Sequence, residues 1–513
     1  DENGNFVPNN CEYLTESPVT GNTFNWAAFA QDSWSLQPNL TLNYGVRYEE
    51  QRLRYAEHLR GTIDPFTDEP LGKNALTLRN MWAPRFGVIY DWTKEGRSKL
   101  YASWGRFYES IPMTINDFSF SGDALYGAFW QFSQCTSGNR GQWKDPNLAA
   151  PHPANCPERV TQEERPGDGD VYRGGVTLVT PGTKAQYLDE AVVGVQYELL
   201  EDLRLGLAYK RRSLGRVIED VSIDAADTYI VANPGPDGFP EAEEAALEAQ
   251  IAALDPDDPD RARLEQRLEQ FRAVRTFDKP RRVYNALEFT AIKRFSRNFY
   301  VQGSYTLSRT EGNYPGLLNE DNGAALPNIS TQYDLIELLP NRDGPLPQDR
   351  THYIKFDGYY LWDLREAGEV TAGVRFRAFS GTPIDVLGAH YLYGFNESYL
   401  LPRGYFGRTE FVTGTDLHFS YGRKLAYGYD VSAFVDIFNL FNQEQTAAVD
   451  EAYTLDNANP IVGGRYEDLV YLKAADLAEG TPTTDPVTRN LNFGNPVARY
   501  ASQSIRFGLR VTF

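Results

Sequence analysis

One pattern constrains this chain more than any other: segments of about ten residues in which apolar and polar side chains alternate, recurring from one end to the other. The last of them, Ser504 to Phe513, reads S-I-R-F-G-L-R-V-T-F. In an extended strand Ile505, Phe507, Leu509, Val511 and Phe513 fall on one side, while Arg506, Gly508, Arg510 and Thr512 fall on the other. A single strand of this kind would also suit a soluble sandwich. Its repetition, at the length a tilted strand needs to cross a bilayer, points instead to a transmembrane β-barrel.

The same alternation carries the face assignments. Leu40, Leu42, Tyr44, Val46 and Tyr48 form one outward row, and Ala191, Val193, Val195, Tyr197 and Leu199 another. Leu203, Leu205, Leu207 and Tyr209 return the chain from Glu201-Asp202. Further on, Ile354, Phe356, Gly358, Tyr360 and Trp362 face Val370, Ala372, Val374, Phe376 and Ala378. The opposite sides hold Arg47, Arg204, Lys210, Arg375, Arg377, Arg506 and Arg510. Charge on the lipid face is costly, so these seven are predicted to look into the lumen. In a plugged barrel such cations normally pair with carboxylates of the plug. Near 99–108, Y-A-S-W-G-R-F-Y has aromatics on both faces, and the pattern leaves its lipid side open.

Composition agrees. Aromatics make up 13% of the chain, with Tyr 32 and Phe 29 against Met 2, as expected of a wall that is apolar on one face and ringed by aromatics at its rims. No stretch of about eighteen apolar residues exists, which excludes helical spans. Asp+Glu 70 against Lys+Arg 50 gives a net charge of -20, with the acids gathered between strands. Nucleic acid is thereby disfavoured as a partner.

About thirteen strands are predicted, and their connections alternate between short turns and very long loops, the outer-membrane arrangement of periplasmic turns and extracellular loops. The longest loops are expected near 109–184 and 211–282. Within the second, Leu247, Ile251 and Leu254 and then Leu264, Leu268 and Phe271 are spaced for two helical faces either side of D-P-D-D-P-D, predicting a helical hairpin over 241–275 that packs on itself. A bacterial barrel closes with an even number of strands, and residue 1 is Asp with no signal stretch after it. Residues 1–513 are therefore expected to be the C-terminal part of a larger barrel.

Sites of chemistry are sparse. Cys135 and Cys156 bracket one predicted loop and are expected to form a disulfide; Cys11 stands apart. His58, His152, His352, His390 and His418 are scattered. Asp416 and His418 share a strand face and are the one pair that would suit a hydrolase, although ordinary lumen lining explains them better. Asp168 and Asp170 in R-P-G-D-G-D, and N-E-D-N-G at 319–323, are weak calcium candidates that lack the full ligand spacing. No cofactor beyond such calcium is expected.

Seven segments in order, W-A-A-F-A-Q-D-S-W with L-T-L-N-Y-G-V-R-Y-E, A-P-R-F-G-V-I-Y-D-W, Y-A-S-W-G-R-F-Y, A-F-S-G-T-P, D-I-F-N-L-F-N and I-R-F-G-L-R-V-T-F, resemble the barrel of TonB-dependent outer-membrane receptors, more narrowly the Oar-like, OmpA-related subgroup. The resemblance covers the hairpins and leaves the large loops unmatched. It implies an all-β antiparallel barrel of about 22 strands in a Gram-negative outer membrane, with an N-terminal plug and a TonB-pairing box that this sequence does not contain. It further implies active transport of an unknown extracellular ligand without catalysis. Implied partners are outer-membrane lipid and lipopolysaccharide, the TonB complex, and the barrel assembly machinery, which would read the terminal row Ile505, Phe507, Leu509, Val511 and Phe513. A passive pore or display adhesin is the first alternative, and a barrel-embedded hydrolase a remote one.

Overall fold

The computed structural model describes residues 21–64, 69–111, 113–121, 124–126, 171–173, 177–222, 229–316, 331–425, 428–476 and 480–513. Cys11, Cys135, Cys156, His152, Asp168, Asp170 and the 319–323 stretch lie outside them. The chain divides into two compact units.

The larger unit holds Trp26–Glu50, Leu78–Ile111 and Val179–Phe513. Its principal sheet runs through thirteen strands in chain order. These are β1 (Asn22–Gln37), β2 (Leu40–Arg54), β3 (Asn74–Tyr90), β4 (Ser98–Tyr108), β5 (Tyr187–Leu200), β6 (Leu203–Arg216) and β7 (Arg282–Ser296), followed by β8 (Phe299–Gly312), β9 (His352–Asp363), β10 (Glu369–Phe379), β11 (Val412–Lys424), β12 (Asp430–Phe438) and β13 (Ser504–Thr512). Pairing is antiparallel from β3 to β13.

Turns of two to seven residues join β1–β2, β3–β4, β5–β6, β7–β8, β9–β10 and β11–β12, and every other connection is long. The tightest use local chemistry that suits a reversal. Arg297 and Asn298 take φ of 49° and 67°, the left-handed pair that matches strand twist in a two-residue hairpin. Strands outrun their alternating cores, because above the lipid band either face meets water and the period-two signal fades. The excursion expected from Arg211 consequently begins after Arg216, where β6 ends.

Register settles the faces. Leu205 stands opposite Tyr197 and Ala291, and Leu207 opposite Val195 and Phe289. Paired residues in antiparallel strands share a face, so the row is apolar across three strands. It is also exposed, with Val193 at 51% and, in the matching row of the last strand, Phe507 at 80%. The side left open near 99–108 follows from pairing: Leu100, Ala102 and Trp104 stand opposite Val195, Val193 and Ala191, which places them on the lipid face. Aromatic contacts such as Trp26–Tyr48–Trp82 (5.3 and 4.7 Å between centroids) and Trp92–Tyr197 (6.1 Å) run along this outer row.

Above the long-loop ends, the larger unit has interior packing of an ordinary kind. Leu214, Val217, Val221, Ala232, Val274, Phe277, Tyr314 and Tyr333 form one buried cluster, and Val386, Leu400, Leu401, Leu469 and Phe493 belong to a second. The helical stretch comprises α1 (Glu241–Ala253) and α2 (Pro259–Ala273). Pro259 sits at the first turn of α2, and Asp258 caps it by accepting a hydrogen bond from the Asp260 amide at 2.9 Å. Ile251, Leu268 and Phe271 are buried, and Arg272 of α2 pairs with Glu244 and Glu248 of α1.

The smaller unit, drawn from Asp1–Asn25, Gln51–Thr77 and Pro112–Leu178, centres on the helix Met113–Phe120. Phe120 is buried edge-on against Tyr55 at 5.8 Å, and its carbonyl accepts the Ala56 amide at 3.1 Å. Among the described residues no helix is long and apolar enough to cross a membrane.

Candidate functional site: the charged inner face

The face opposite the apolar row carries the titratable chemistry. Because side chains two residues apart share a face, each strand contributes charges at alternate positions, and neighbouring strands bring opposite signs together. Lys210 Nζ meets Glu288 Oε2 at 2.5 Å across β6 and β7. Arg377 Nη2 lies 2.9 Å from both oxygens of Asp357, and Arg375 approaches the same carboxylate at 3.8 Å. Arg506 donates to Asp436 Oδ2 from Nε at 2.9 Å and from Nη2 at 2.7 Å. Arg47 pairs with Glu49 on its own strand at 2.6 Å. Arg204 and Arg510 form no ion pair among the described residues. Each pair is partly open to solvent, so each contributes about 0–1 kcal/mol.

The expectation that these arginines await carboxylates of a plug is therefore not needed for most of them, which have partners on their own or the adjoining strand. Pattern alone locates Arg377, but only the register Asp357↔Arg375 reveals its carboxylate. Asp436 escapes a reading of the sequence for the same reason. It alternates with Ser432 and Phe434 and becomes informative only once paired opposite His418 and Arg506.

Asp436 is the most enclosed of these acids. Its Oδ1 lies 2.6 Å from His418 Nδ1, and Arg506 holds the other oxygen. Asp416 does not bond to His418. Its Oδ1 accepts the Asn439 amide at 2.9 Å, a structural contact at the end of β12. The two residues that alternation puts side by side thus serve different partners. With Tyr300, Tyr359 and Arg375 they border a recess of about 440 Å³, and a larger one of about 820 Å³ is bordered by Gln31, Asn43, Arg47, Arg85, Lys99 and Tyr101. Among the described residues no group of three or more His, Cys, Asp and Glu side chains is placed to hold a metal ion.

Backbone proximity also shapes this face. Gly508 lies opposite Phe434, and a Cβ there would stand 2.0 Å from the ring. Glycine is needed so that Phe434 can lie flat across β13, beneath the Arg506 guanidinium 5.9 Å from the ring centre. The terminal row Ile505, Phe507, Leu509, Val511 and Phe513 is exposed on the other side.

At the short-turn end, carboxylates fasten the hairpins. Asp91 accepts hydrogen bonds from the Ser98 and Thr93 hydroxyls and from the Gly96 amide at 2.6 Å, and these donors, Ser98 foremost, hold its carboxyl well below the usual range. Lys293 and then Ser296 do the same for Asp202, held down to about 2.

Comparison with known proteins bears on this two-faced wall. Residues 7–371 match the model of the outer membrane beta barrel domain. This chain belongs to the outer membrane beta barrel family. Over 503 residues the barrel is 34% identical to the TonB-dependent transporter Oar of Myxococcus xanthus, a match that covers 94% of the chain and 42% of that relative. It therefore spans less than half the length of the curated relative. Among solved structures it is similar to the outer membrane transporter YddB from Escherichia coli, at 12% identity and a TM-score of 0.45 over 83% of this chain and 42% of that one. It is also similar to BauA, the ferric preacinetobactin receptor from Acinetobacter baumannii, at 8% identity and a TM-score of 0.42 over 96% and 43%. The barrel resides in the Gram-negative outer membrane, with its apolar row against lipid.

Proposed function

We propose that this barrel is the wall of a TonB-dependent transporter: its extracellular loops and upper lumen bind a ligand, and a plug moved by TonB gates passage. The observation that carries the reading is the 34% identity to a TonB-dependent transporter across 94% of the chain, loops included. The inner face is compatible with it, since a wall whose cations are mostly paired across strands presents a polar surface against which a plug can be seated and shifted. Nothing is done chemically to the ligand in this reading. Asp416 is engaged by backbone and His418 by a carboxylate that an arginine also holds.

The test uses the full-length native protein. In planar bilayers it is expected to conduct little until urea displaces the plug, and it is expected to be captured by the periplasmic domain of TonB. Steady open-pore conductance together with failure to bind TonB would establish the passive-pore alternative instead.

A further inference from the structure

The loop layer contains a cluster of acids that the inner face does not use. Glu219 and Asp220 lie on the short strand Glu219–Ser222, which pairs with Tyr229–Ala232 just beyond β6. Asp334 follows the turn Thr331–Tyr333 of the next long loop. Glu219 and Asp334 are buried, and one carboxyl oxygen of each of the three, Glu219 Oε2, Asp220 Oδ1 and Asp334 Oδ1, is sealed from solvent with no hydrogen-bond partner. Glu219-Asp220 and Asp334 are more than a hundred residues apart in sequence, yet their segments meet over the apolar cluster of Val217, Val221, Phe277, Tyr314 and Tyr333.

The facing groups offer little compensating charge. Tyr314 donates its hydroxyl to Glu219 Oε1 at 2.5 Å. Tyr393, tied to Tyr229 at 3.1 Å, faces Asp334. Arg342 is buried and acts on Asp334; its Nη2 serves Glu397, at 2.9 Å from the carbonyl and 3.4 Å from Oε2, while its Nε and Nη1 have no hydrogen-bond partner. His390 leans on Glu337 at 3.4 Å, and Arg282 and Asp278 act on the tyrosines from the base of the excursion. Three carboxyls sunk over an apolar cluster, with Arg342 the one buried guanidinium acting on Asp334, are costly to keep ionised.

We propose that protons hold this loop layer together: Glu219, Asp220 and Asp334 pack as neutral carboxyls, and their ionisation in alkaline surroundings loosens the seam between the strand Glu219–Ser222 and the turn Thr331–Tyr333 with Asp334 after it. Burial pushes Asp220 up to about 7, and burial reinforced by Asp220 pushes Asp334 up to about 8; burial moves Glu219 the same way. The sign is set by linkage. A carboxyl whose folded pKa is raised stabilises the packed loops fully below its unfolded value of about 4, and that contribution is lost as pH climbs through about 7 and 8. The device would make the loops tight in mildly acidic surroundings and loose in alkaline ones.

The full-length protein in vesicles would be pulsed with proteinase K between pH 6 and pH 8.5, with cleavage in the 217–281 excursion normalised to an unfolded substrate at each pH. Normalised cleavage of the wild type is expected to rise at least about tenfold, the factor set by one pH unit of titration at one site. Glu219→Gln combined with Asp220→Asn and Asp334→Asn is expected to stay slow and flat. A flat wild type, or a triple variant that keeps the rise, overturns the proposal. So does loosening of the wild type by chelator at pH 6, which would mean a metal rather than protons. Should the triple variant fail to assemble, infrared spectra of the wild type decide: a protonated-carboxyl C=O band present at pH 6.5 and diminished by pH 9 supports the proposal, and its absence refutes it.

Discussion

Leu207→Arg tests the orientation of the whole wall. Leu207 is five residues beyond Asp202 in the short turn and four before Arg211, the first charge on its face. At about 3.4 Å per residue and a tilt of about 40°, that is roughly 13 Å above the turn and 10 Å below Arg211, near the middle of an apolar band about 25 Å tall. Its register partners Val195 and Phe289 give an arginine nothing to bond. Arg there should destabilise by about 2–4 kcal/mol, whereas Leu203→Arg, one residue from the turn, should cost about 0–1 kcal/mol. Native Arg211, which donates to Asn285 Oδ1 at 2.9 Å, marks where tolerance resumes. Equilibrium unfolding from lipid vesicles, with Leu207→Ala and Leu203→Ala as references, measures both. Equal costs at the two positions would show that depth does not govern this row and that it does not face hydrocarbon.

Other outcomes follow from single contacts. Gly508→Leu should destabilise by about 1–3 kcal/mol through the Phe434 ring, and adding Phe434→Ala should recover part of the loss; no recovery would remove the steric account. A double-mutant cycle on Arg377 and Asp357 should give a coupling of about 0.2–1 kcal/mol, and a value several times larger would mean a much drier lumen. Asp91 and Asp202 have depressed folded pKa values, so their contribution is present above about pH 4 and fades as pH falls through the folded values; hairpin cleavage should rise on acidification toward pH 2, and Asp91→Asn with Asp202→Asn should be insensitive over that range. Phe513→Ser should lower the amount of barrel reaching the membrane, measured by heat-modifiable migration, and unchanged levels would count against a role for the terminal row in assembly.

Alternation made the wall legible because in a strand crossing lipid one side chain in two has no freedom of type. It located β6, β9, β10 and β13 to within a few residues, except where β6 continues above the band. It was silent wherever both faces tolerate the same residues, as at Lys99–Tyr108, where Trp104 and Phe107 compete and only pairing with β5 chooses. Ion pairs were half visible. Each cation was marked by its place in the period, but for Lys210, Arg375, Arg377 and Arg506 the carboxylate lies on another strand at a register no local signal states. The buried acids were wholly hidden: Glu219-Asp220 between Ile218 and Val221 reads as an ordinary strand end, and Asp334 is remote in sequence.

The carboxylates that answer Lys210, Arg377 and Arg506 all belong to the wall itself. Where these pairs stand, the lumen is lined by compensated charge, and Arg204 and Arg510 are the exceptions. Whatever lies against those pairs can slide or leave without stripping counter-ions from them, so there the force needed to displace it would be set by hydrogen bonds and shape, with little left to ionic strength.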